Sequence, residues 1–556
     1  MPPLPRWASP AALALVLAVG LGPGLRGAFI WDDPYLLQGP LGSFGQAISS
    51  DFWHPTQVSG MYRPVVSAYF WLGRQAFGGP LGFHLGNFAL HFAVSLLAVR
   101  WLTRRLGGSP SAQWTALLAV AILAAHPTRP ESVTIVSGST DVLMAVFLLL
   151  AAEALAQARW WWAAGPMLAL AFLSKETALV GVGLLAADAF FLPRPVPERP
   201  RVTLGKLAVA VPFVGGAWAL HQLLVPIQAS AIGTLGQAAF RAIYSVGAYA
   251  RIVVLPWPSS SYSIPETAQG FELNALILAA GLAILGLAAA VLAGAVRHAA
   301  LRPVAADVCW VLLPLAPVSN FIPLDYRGFV CERLVYVPLL GVASLLARGL
   351  SLLLERSASR RRAGVAASLA LTAAFAGLSA VRATTLLDDE SRLRHELALA
   401  PHDSYLLKEV GRRAGAQARH PRRIGGLRGE PPIQLPLLAH PADRPRLGEP
   451  QGRHDPRLGR GHAGQARHLP RCARLGPREH GRRSGDRRHE ASPPNRRPDA
   501  GARRRRRHRA GDEEQPPSTA RRPAEGAALS YCCFSSFSAR WRTRRLMAPM
   551  RLPTSL

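Results

Sequence analysis

Long apolar runs alternate with short polar segments from the start of the chain to about Arg382. Many of these runs approach the ~20 residues that a helix needs to cross the hydrocarbon core of a bilayer. The pattern therefore predicts an all-α, polytopic membrane region with about eleven transmembrane helices. The predicted spans are roughly 10–27, 81–101, 112–125, 140–158, 160–174, 177–192, 207–226, 273–296, 304–322, 334–351 and 363–382.

Basic clusters between the spans give the chain a predicted orientation. If the amino terminus is cytoplasmic, the clusters at 100–105, 159, 194–206, 297–302 and 356–362 all fall on the cytoplasmic side, as the positive-inside rule requires. This assignment needs the segment 230–256, which contains Arg241 and Arg251, to be re-entrant or interfacial. A cleavable signal peptide is the alternative interpretation of residues 1–27.

The same orientation places most acidic residues in loops on the opposite, non-cytoplasmic face. Charged residues near predicted membrane boundaries on this face suggest one polar site at a single interface. The candidate residues for this site are Asp32, Asp33, Arg63, His126, Arg129, Glu131, Asp141, Lys175, Glu176, Glu332 and Arg333.

The adjacent carboxylates in "FIWDD" (29–33) follow the first apolar run directly. One aspartate can remove a proton from an acceptor hydroxyl while the other orients it, as general-base catalysis requires. The alternative is a short acidic turn that ends a helix in water.

Single charges inside or beside apolar runs are the other candidates. Asp141 near the start of a span is expensive unless it faces a cavity or a partner, and a structural pair with an arginine is its alternative role. Lys175 can neutralise the phosphate of a lipid-linked donor at the membrane boundary, or simply anchor the topology. Arg63 can bind an anion or extend to lipid headgroups.

Several motifs along the first 345 residues together resemble a known family, the transmembrane, tetratricopeptide-repeat O-mannosyltransferases and their bacterial relatives. The motifs are "FIWDD" (29–33), "YRP" (62–64), "FHLGNFALHFAVSLL" (83–97), "HPTRPESV" (126–133), "LSKET" (173–177) and "ERLVYVP" (332–338). The resemblance implies a GT-C glycosyltransferase that moves a sugar from a polyprenyl-phosphate carrier to a hydroxyl, with protein serine or threonine as acceptor. It assigns catalysis to Asp32 and Asp33.

The resemblance also implies that no metal or nucleotide cofactor takes part. It places the enzyme in a bacterial inner membrane with its site facing the periplasm or exterior. One departure is Ser139-Thr140-Asp141, where relatives often carry a basic residue before the aspartate. Arg129 or Lys175 would then have to bind the donor phosphate. Neither the sugar nor the acceptor follows from the residues themselves, and mannose comes from the resemblance alone.

Composition divides the chain after its last span. The formal net charge of +30 arises largely from a carboxy-terminal segment rich in Arg, Pro and Gly, which has little from which to build a core. The 5 cysteines show no C-x-x-C spacing, so no structural metal is implied. The predicted division is 1–385 membrane domain, 386–416 start of a tetratricopeptide-like repeat, and 417–556 disordered basic tail.

The tail has the composition of GC-rich DNA translated in the wrong frame, which suggests a frameshift near codon 417. A nucleic-acid-binding arm is the alternative for its arginine runs, but the predicted topology puts the tail outside the cytoplasm, so no nucleic-acid partner is expected. For the whole chain, two rivals to the enzyme are a membrane transporter and a non-catalytic, repeat-bearing platform. Clustering of the charges at one interface favours the enzyme.

Overall fold

The computed structural model describes residues 2–37, 42–54, 59–192, 200–226, 233–257, 275–322, 330–401, 403 and 406–412. Among these residues every regular element is an α-helix or a 3-10 helix, which confirms the all-α prediction. The proposed tail at 417–556 lies outside the described residues, so the predicted domain division stays a prediction.

The helices of the first half are α1 (Ala8–Leu21), α2 (Asp33–Leu37), α3 (Phe44–Ser49), α4 (Pro64–Ala76), α5 (Pro80–Arg105), α6 (Pro110–Ala124), α7 (Arg129–Val133), α8 (Ser139–Leu155), α9 (Ala164–Ser174) and α10 (Gly181–Phe191). Those that follow are α11 (Pro200–Ala208), α12 (Val211–Leu224), α13 (Leu235–Val254), α14 (Ala275–Arg297), α15 (Arg302–Leu315), α16 (Pro338–Leu354), α17 (Ala358–Thr384) and α18 (Asp389–Leu399). Short 3-10 helices at Gly22–Arg26, Val136–Gly138, Glu176–Val180 and Glu332–Val335 join several of them.

Seven helical stretches within the described part of the chain are long and apolar enough to cross a membrane: Ala8–Arg26, Pro80–Arg105, Val136–Leu155, Thr203–Leu224, Ala275–Arg297, Ala299–Val318 and Ala358–Thr384. Each coincides with a predicted span, so the chain is a polytopic membrane protein. Three further predicted spans correspond to shorter apolar helices, Pro110–Ala124, Trp161–Ser174 and Pro338–Leu354.

The eleventh predicted span, 177–192, corresponds to the 3-10 helix Glu176–Val180 followed directly by α10. Lys175 is extended (φ −159°) and ends α9, Glu176–Val180 forms a 3-10 helix, and only then does α10 begin. Lys175 and Glu176 therefore lie where α9 ends and the next helical stretch begins, as the gap between the predicted spans 160–174 and 177–192 indicates. Seven of the eleven predicted spans are therefore membrane-length helices in the described part of the chain, and the other four are shorter helical stretches.

The helices pack around a core in which α5, α6, α8 and α16 are central. Leu13 and Leu17 of α1, Leu149 of α8 and Leu339 of α16 are fully buried in it. By contrast α14 is largely exposed and packs mainly on α13, as expected of a helix that faces lipid. α13 itself, where a re-entrant or interfacial helix is predicted, is not among the seven membrane-length stretches.

Candidate functional site

The loop between α1 and α2 carries the two adjacent aspartates. Asp33 begins α2 and is fully buried. Its Oδ1 accepts a hydrogen bond from the backbone N–H of Ser137 at 2.7 Å, and its Oδ2 accepts one from that of Val136 at 3.0 Å. Asp32 is only half-buried. The two carboxylates therefore occupy different environments, a distinction that sequence alone does not make.

Both oxygens of Asp33 are occupied by backbone amides, which ties the loop to the 3-10 helix Val136–Gly138 ahead of α8. Burial raises the pKa of Asp33 to about 7, while the hydrogen bonds from Ser137 and Val136 act in the opposite direction. Desolvation disfavours the charged form and donated hydrogen bonds favour it. Asp33 is thus placed to hold the loop in position, which leaves Asp32 as the better exposed of the pair.

Asp141 and Lys175 form an ion pair, with Nζ 2.6 Å from Oδ1 and each side chain only 3% exposed. Asp141 lies in the first turn of α8, and Lys175 is the residue that ends α9. The alternative role for Asp141, a structural pair with an arginine, is therefore wrong about the partner, which is Lys175, and correct that Asp141 forms a buried ion pair. A buried aspartate at this depth needs such a cation because isolated charges are costly in a low-dielectric environment.

The Asp141–Lys175 pair borders a small, partly open pocket with a volume of about 10 Å³, enough for about one water molecule. The rest of its lining is almost entirely apolar and comes from α8, α15, the start of α16 and the 3-10 helices Glu176–Val180, Ala316–Val318 and Glu332–Val335. The lining side chains are Met144, Leu148, Thr177, Val180, Pro314, Val318, Leu334, Val337 and Pro338. The pocket thus combines one buried ion pair with a mostly apolar lining.

Arg63 and Glu176 form a second ion pair beside the first. Arg63 Nη2 lies 2.8 Å from Glu176 Oε2, and Nε is 3.1 Å from both carboxylate oxygens. Burial alone would raise the pKa of Glu176, but Arg63 lowers it to about 2. His221 of α12 is fully buried, with Nε2 3.9 Å from Glu176 Oε1. Arg63, which precedes α4, is thus bound to a carboxylate of this protein in the structure.

A third group of charges joins α7, the 3-10 helix Glu332–Val335, α17 and α18. Arg382 Nε lies 3.2 Å from Glu332 Oε2, and its Nη2 lies 3.4 Å from Glu396 Oε1. Glu131 Oε2 accepts the backbone N–H of Arg333 at 3.1 Å. Burial raises the pKa of Glu131 to about 7 and that of Glu332 to about 8, although the nearby arginines lower both pKa values. These contacts fasten the loops of the candidate site to the end of the last membrane-length helix.

Arg382 and Glu396 are missing from the residues predicted from sequence. An arginine near the end of a predicted apolar span is itself a signal, because ionisable residues in such segments usually pair inside the protein. Arg382 is fully buried and Glu396 is 1% exposed. Their position in a shared network therefore adds two residues to the candidate site.

His126 and Arg129 are buried among contacts that shape the fold. His126 Nδ1 lies 2.9 Å from Thr128 Oγ1, and its Nε2 lies 3.0 Å from the carbonyl oxygen of Val253 in α13. Burial lowers the pKa of His126 to about 3. Arg129 donates to the carbonyl oxygens of Leu123 and Tyr336 at 2.9 and 3.1 Å. In this arrangement Lys175 is better placed than Arg129 to face a ligand, because it borders the cavity.

A second set of buried charges lies at the carboxy-terminal end of α5. This helix has 26 residues and is therefore about 39 Å long. Arg105 contacts Asp188 of α10 and Asp307 of α15, and Arg348 of α16 also contacts Asp307. The expectation that charges cluster at one interface is therefore wrong. Asp307 is fully buried and Asp188 is largely buried here, beside the cations of Arg105 and Arg348. The paired residues are too far apart in the sequence for the pairs to be recognised from it.

The chain resembles protein O-mannosyl-transferases over part of its length, and no protein-family model matches it. It is 34% identical over 195 residues to "Protein O-mannosyl-transferase Tmtc2" of Drosophila melanogaster, and the aligned segment covers 31% of this chain and 20% of that protein. It is 30% identical over 174 residues to "Protein O-mannosyl-transferase TMTC4" of Homo sapiens, 26% of this chain and 22% of that protein. The match thus spans about a fifth of the length of these curated relatives.

Among solved structures, arabinosyltransferase EmbB from Mycobacterium smegmatis superimposes on 71% of this chain and 43% of its own. The TM-score is 0.30 and the sequence identity is 15%. So distant a superposition carries no argument about the site. The sequence matches instead agree with the resemblance drawn from the motifs.

Proposed function

We propose that this protein is an integral membrane glycosyltransferase of the GT-C type. It transfers a sugar, with mannose the first candidate, from a polyprenyl-phosphate donor to a hydroxyl acceptor on the non-cytoplasmic face. The observation that carries this proposal is the pairing of a half-buried Asp32 with a fully buried Asp33 whose carboxylate is bound by two backbone amides. Such a loop presents one carboxylate in a fixed geometry, as a general base requires.

In the proposed reaction the hydroxyl oxygen of the acceptor bonds to the anomeric carbon of the sugar, and Asp32 accepts the proton that this hydroxyl loses. The bond between that carbon and the phosphate oxygen breaks, and polyprenyl phosphate leaves with the electron pair. No metal or nucleotide is needed to balance this step. Developing negative charge on the leaving phosphate calls for a preorganised cation nearby.

Lys175 is proposed to supply that cation. Lys175 lines the same pocket as Val180, Leu334 and Val337. The pocket as it stands is too small for an isoprenoid chain, so the proposal requires the apolar lining to separate when the chain enters and its phosphate reaches the lysine. Asp141, whose Oδ1 lies 2.6 Å from the Nζ of Lys175, then holds the ammonium group in place.

The proposal also takes the acceptor and the side of the membrane from the resemblance. The acceptor is a protein serine or threonine hydroxyl, in keeping with the printed names of the relatives. The membrane is the bacterial plasma membrane, and the site faces the periplasm or exterior.

The test is sugar transfer by the purified full-length protein. The protein is incubated with a panel of radiolabelled polyprenyl-phosphate sugars and serine- or threonine-containing peptides, and labelled peptide is counted. We expect transfer from one donor, and a loss of at least about a thousandfold in the Asp32→Asn variant, from removal of the general base together with acceptor orientation.

Glu355→Gln, an exposed carboxylate at the end of α16, serves as the matched control and should transfer at the wild-type rate. Undiminished transfer by Asp32→Asn would contradict the assignment of the base. Absence of transfer from every donor, with intact folding, would contradict the enzyme and favour a transporter or a non-catalytic platform.

A further inference from the structure

The segment that follows the last membrane-length helix packs directly on the loop that carries Asp32. The backbone N–H of Ala28 donates to the carbonyl oxygen of Leu387 at 2.7 Å. Three residues later, the backbone N–H of Trp31 donates to Asp389 Oδ1 at 3.1 Å. Two backbone groups of this loop, one of them next to Asp32, are thus held by residues more than 350 positions away.

The Trp31 side chain is also enclosed by this segment. The guanidinium carbons of Arg392 and Arg333 each lie 5.2 Å from the centre of the Trp31 ring, within the range of a cation–π contact. Arg392 in turn pairs with Asp389 at 3.2 Å. Leu393 of α18 and the helical residues 406–412 add an apolar cluster against the same indole.

The backbone of Trp31 shows why these contacts matter. Its φ is +58°, in the left-handed region that residues other than glycine rarely adopt. Such conformations persist only where the surroundings over-determine them, and they concentrate at functional sites. Here the surroundings are the hydrogen bond to Asp389, the cation of Arg392 and the apolar cluster, all supplied by residues after α17.

Arg382 connects α18 to the 3-10 helix Glu332–Val335. It binds Glu396 of α18 and Glu332, the neighbour of Arg333. Consequently both arginines beside Trp31 belong to elements that Arg382 holds together. The strained residue is thus clamped from α18 and from the Glu332–Val335 turn at once.

We propose that α18 and residues 406–412 form a clamp that sets the direction of the Asp32 carboxylate, with Asp389 and Arg392 as positioning residues. The proposal rests on the proposed function, because it assigns Asp32 the role of the base. It makes the beginning of the predicted repeat region a working part of the site. Without the clamp, Trp31 relaxes from its left-handed conformation, and the carboxylate that follows it turns away.

The test uses the full-length protein in detergent and four variants: Asp389→Ala, Asp389→Asn, Arg392→Gln and Glu390→Gln. The asparagine keeps an oxygen that can accept the Trp31 N–H. Glu390 is the matched control, since its carboxylate is 47% exposed and pairs with Arg394 on the same helix. Sugar transfer gives kcat and the KM for the donor, and hydrogen exchange reports on the peptide covering residues 28–37.

For Asp389→Ala we expect kcat to fall by about ten- to a hundredfold, the scale of a misplaced catalytic group, with the donor KM within about twofold of wild type. Exchange in the 28–37 peptide should be faster. Asp389→Asn should recover kcat to within about threefold, and Glu390→Gln should match wild type in both measurements. A merely structural role would not separate kcat from KM, nor distinguish the asparagine from the alanine.

Wild-type kcat and exchange in Asp389→Ala would overturn the clamp, as would an equal loss in Asp389→Asn. If Asp389→Ala does not fold, Arg392→Gln decides, with slower turnover at unchanged KM and faster loop exchange expected and wild-type values contradicting the proposal. The exchange measurement does not need activity. Absence of sugar transfer by the wild type would therefore count against the proposed function, while the exchange difference would still test the clamp.

Discussion

Replacing Asp32 and replacing Asp33 by alanine should affect different properties of the protein. Asp33→Ala removes the acceptor of the Ser137 and Val136 N–H groups and leaves both donors buried without a partner. Asp32→Ala alters a half-buried side chain. We therefore expect Asp33→Ala to lower stability and Asp32→Ala to abolish turnover with little change in stability.

The magnitude follows from the two lost hydrogen bonds. An unsatisfied buried donor costs about 1–3 kcal/mol, so two cost roughly 2–6 kcal/mol. Removing the carboxylate also relieves its own desolvation, which is evident from the pKa of Asp33, raised by burial to about 7. The lower part of the range, about 2–4 kcal/mol, is the expectation near neutral pH. A half-buried site such as Asp32 should change stability by less than about 1 kcal/mol.

Thermal unfolding of the purified, detergent-solubilised protein provides the assay. Both variants and the wild type are heated under one condition, and the midpoint is read from loss of the monodisperse chromatographic peak. The expected order is wild type equal to Asp32→Ala and both well above Asp33→Ala. Equal midpoints for the two variants would refute the assignment of Asp33 as the structural member of the pair.

Further predictions concern the buried charges and one helix crossing. Lys175→Met should lower the unfolding midpoint by leaving Asp141 unpaired, and adding Asp141→Asn should restore much of it, whereas additive losses in this cycle would contradict the pair. Because burial raises the pKa of Glu131 to about 7 and of Glu332 to about 8, the folded protein retains protons that the unfolded chain has released above about pH 4.5. Stability should then fall as pH rises from about 7 to 8, a range in which His126, whose pKa burial lowers to about 3, is largely neutral in both the folded and the unfolded chain. A higher midpoint at pH 8 than at pH 7 would contradict this. A side chain at Gly247 would place its Cβ 1.9 Å from the Ile277 carbonyl oxygen, so Gly247→Val should separate α13 from α14 and lower the midpoint by several degrees, while an unchanged midpoint would argue against this crossing.

Much of the helical architecture follows from the sequence because apolar runs of membrane length leave few alternatives. Ala275–Arg297 and Ala358–Thr384 are examples in which the predicted and observed limits differ by a few residues. The break at Lys175 is also predicted, because the spans 160–174 and 177–192 leave residues 175 and 176 between them, and Lys175 is extended in the structure. Hydropathy does not report that residues 176–180 form a 3-10 helix ahead of α10, because residues 178–187 remain almost entirely apolar.

The candidate site is predictable in its residue types and less so in its pairings. Asp141 and Lys175 are both identifiable as charges beside apolar runs, yet only the structure shows that they bind each other. The sequence also leaves Asp32 and Asp33 equivalent, since the amides that bind Asp33 lie about 100 positions away. The contact between Asp389 and the Trp31 backbone crosses 358 positions, and no local pattern encodes it.

The account depends on one claim, that loops from distant parts of the chain meet at a single face of the membrane. Single cysteines introduced at Tyr35 and Phe321, which are 46% and 40% exposed, test it in a background with the 5 native cysteines replaced by alanine. A cysteine at the exposed Arg360 represents the opposite face. A membrane-impermeant maleimide applied to intact cells should label the first two positions and spare the third until the cells are opened. Labelling of Tyr35→Cys and Phe321→Cys from opposite sides would contradict the account.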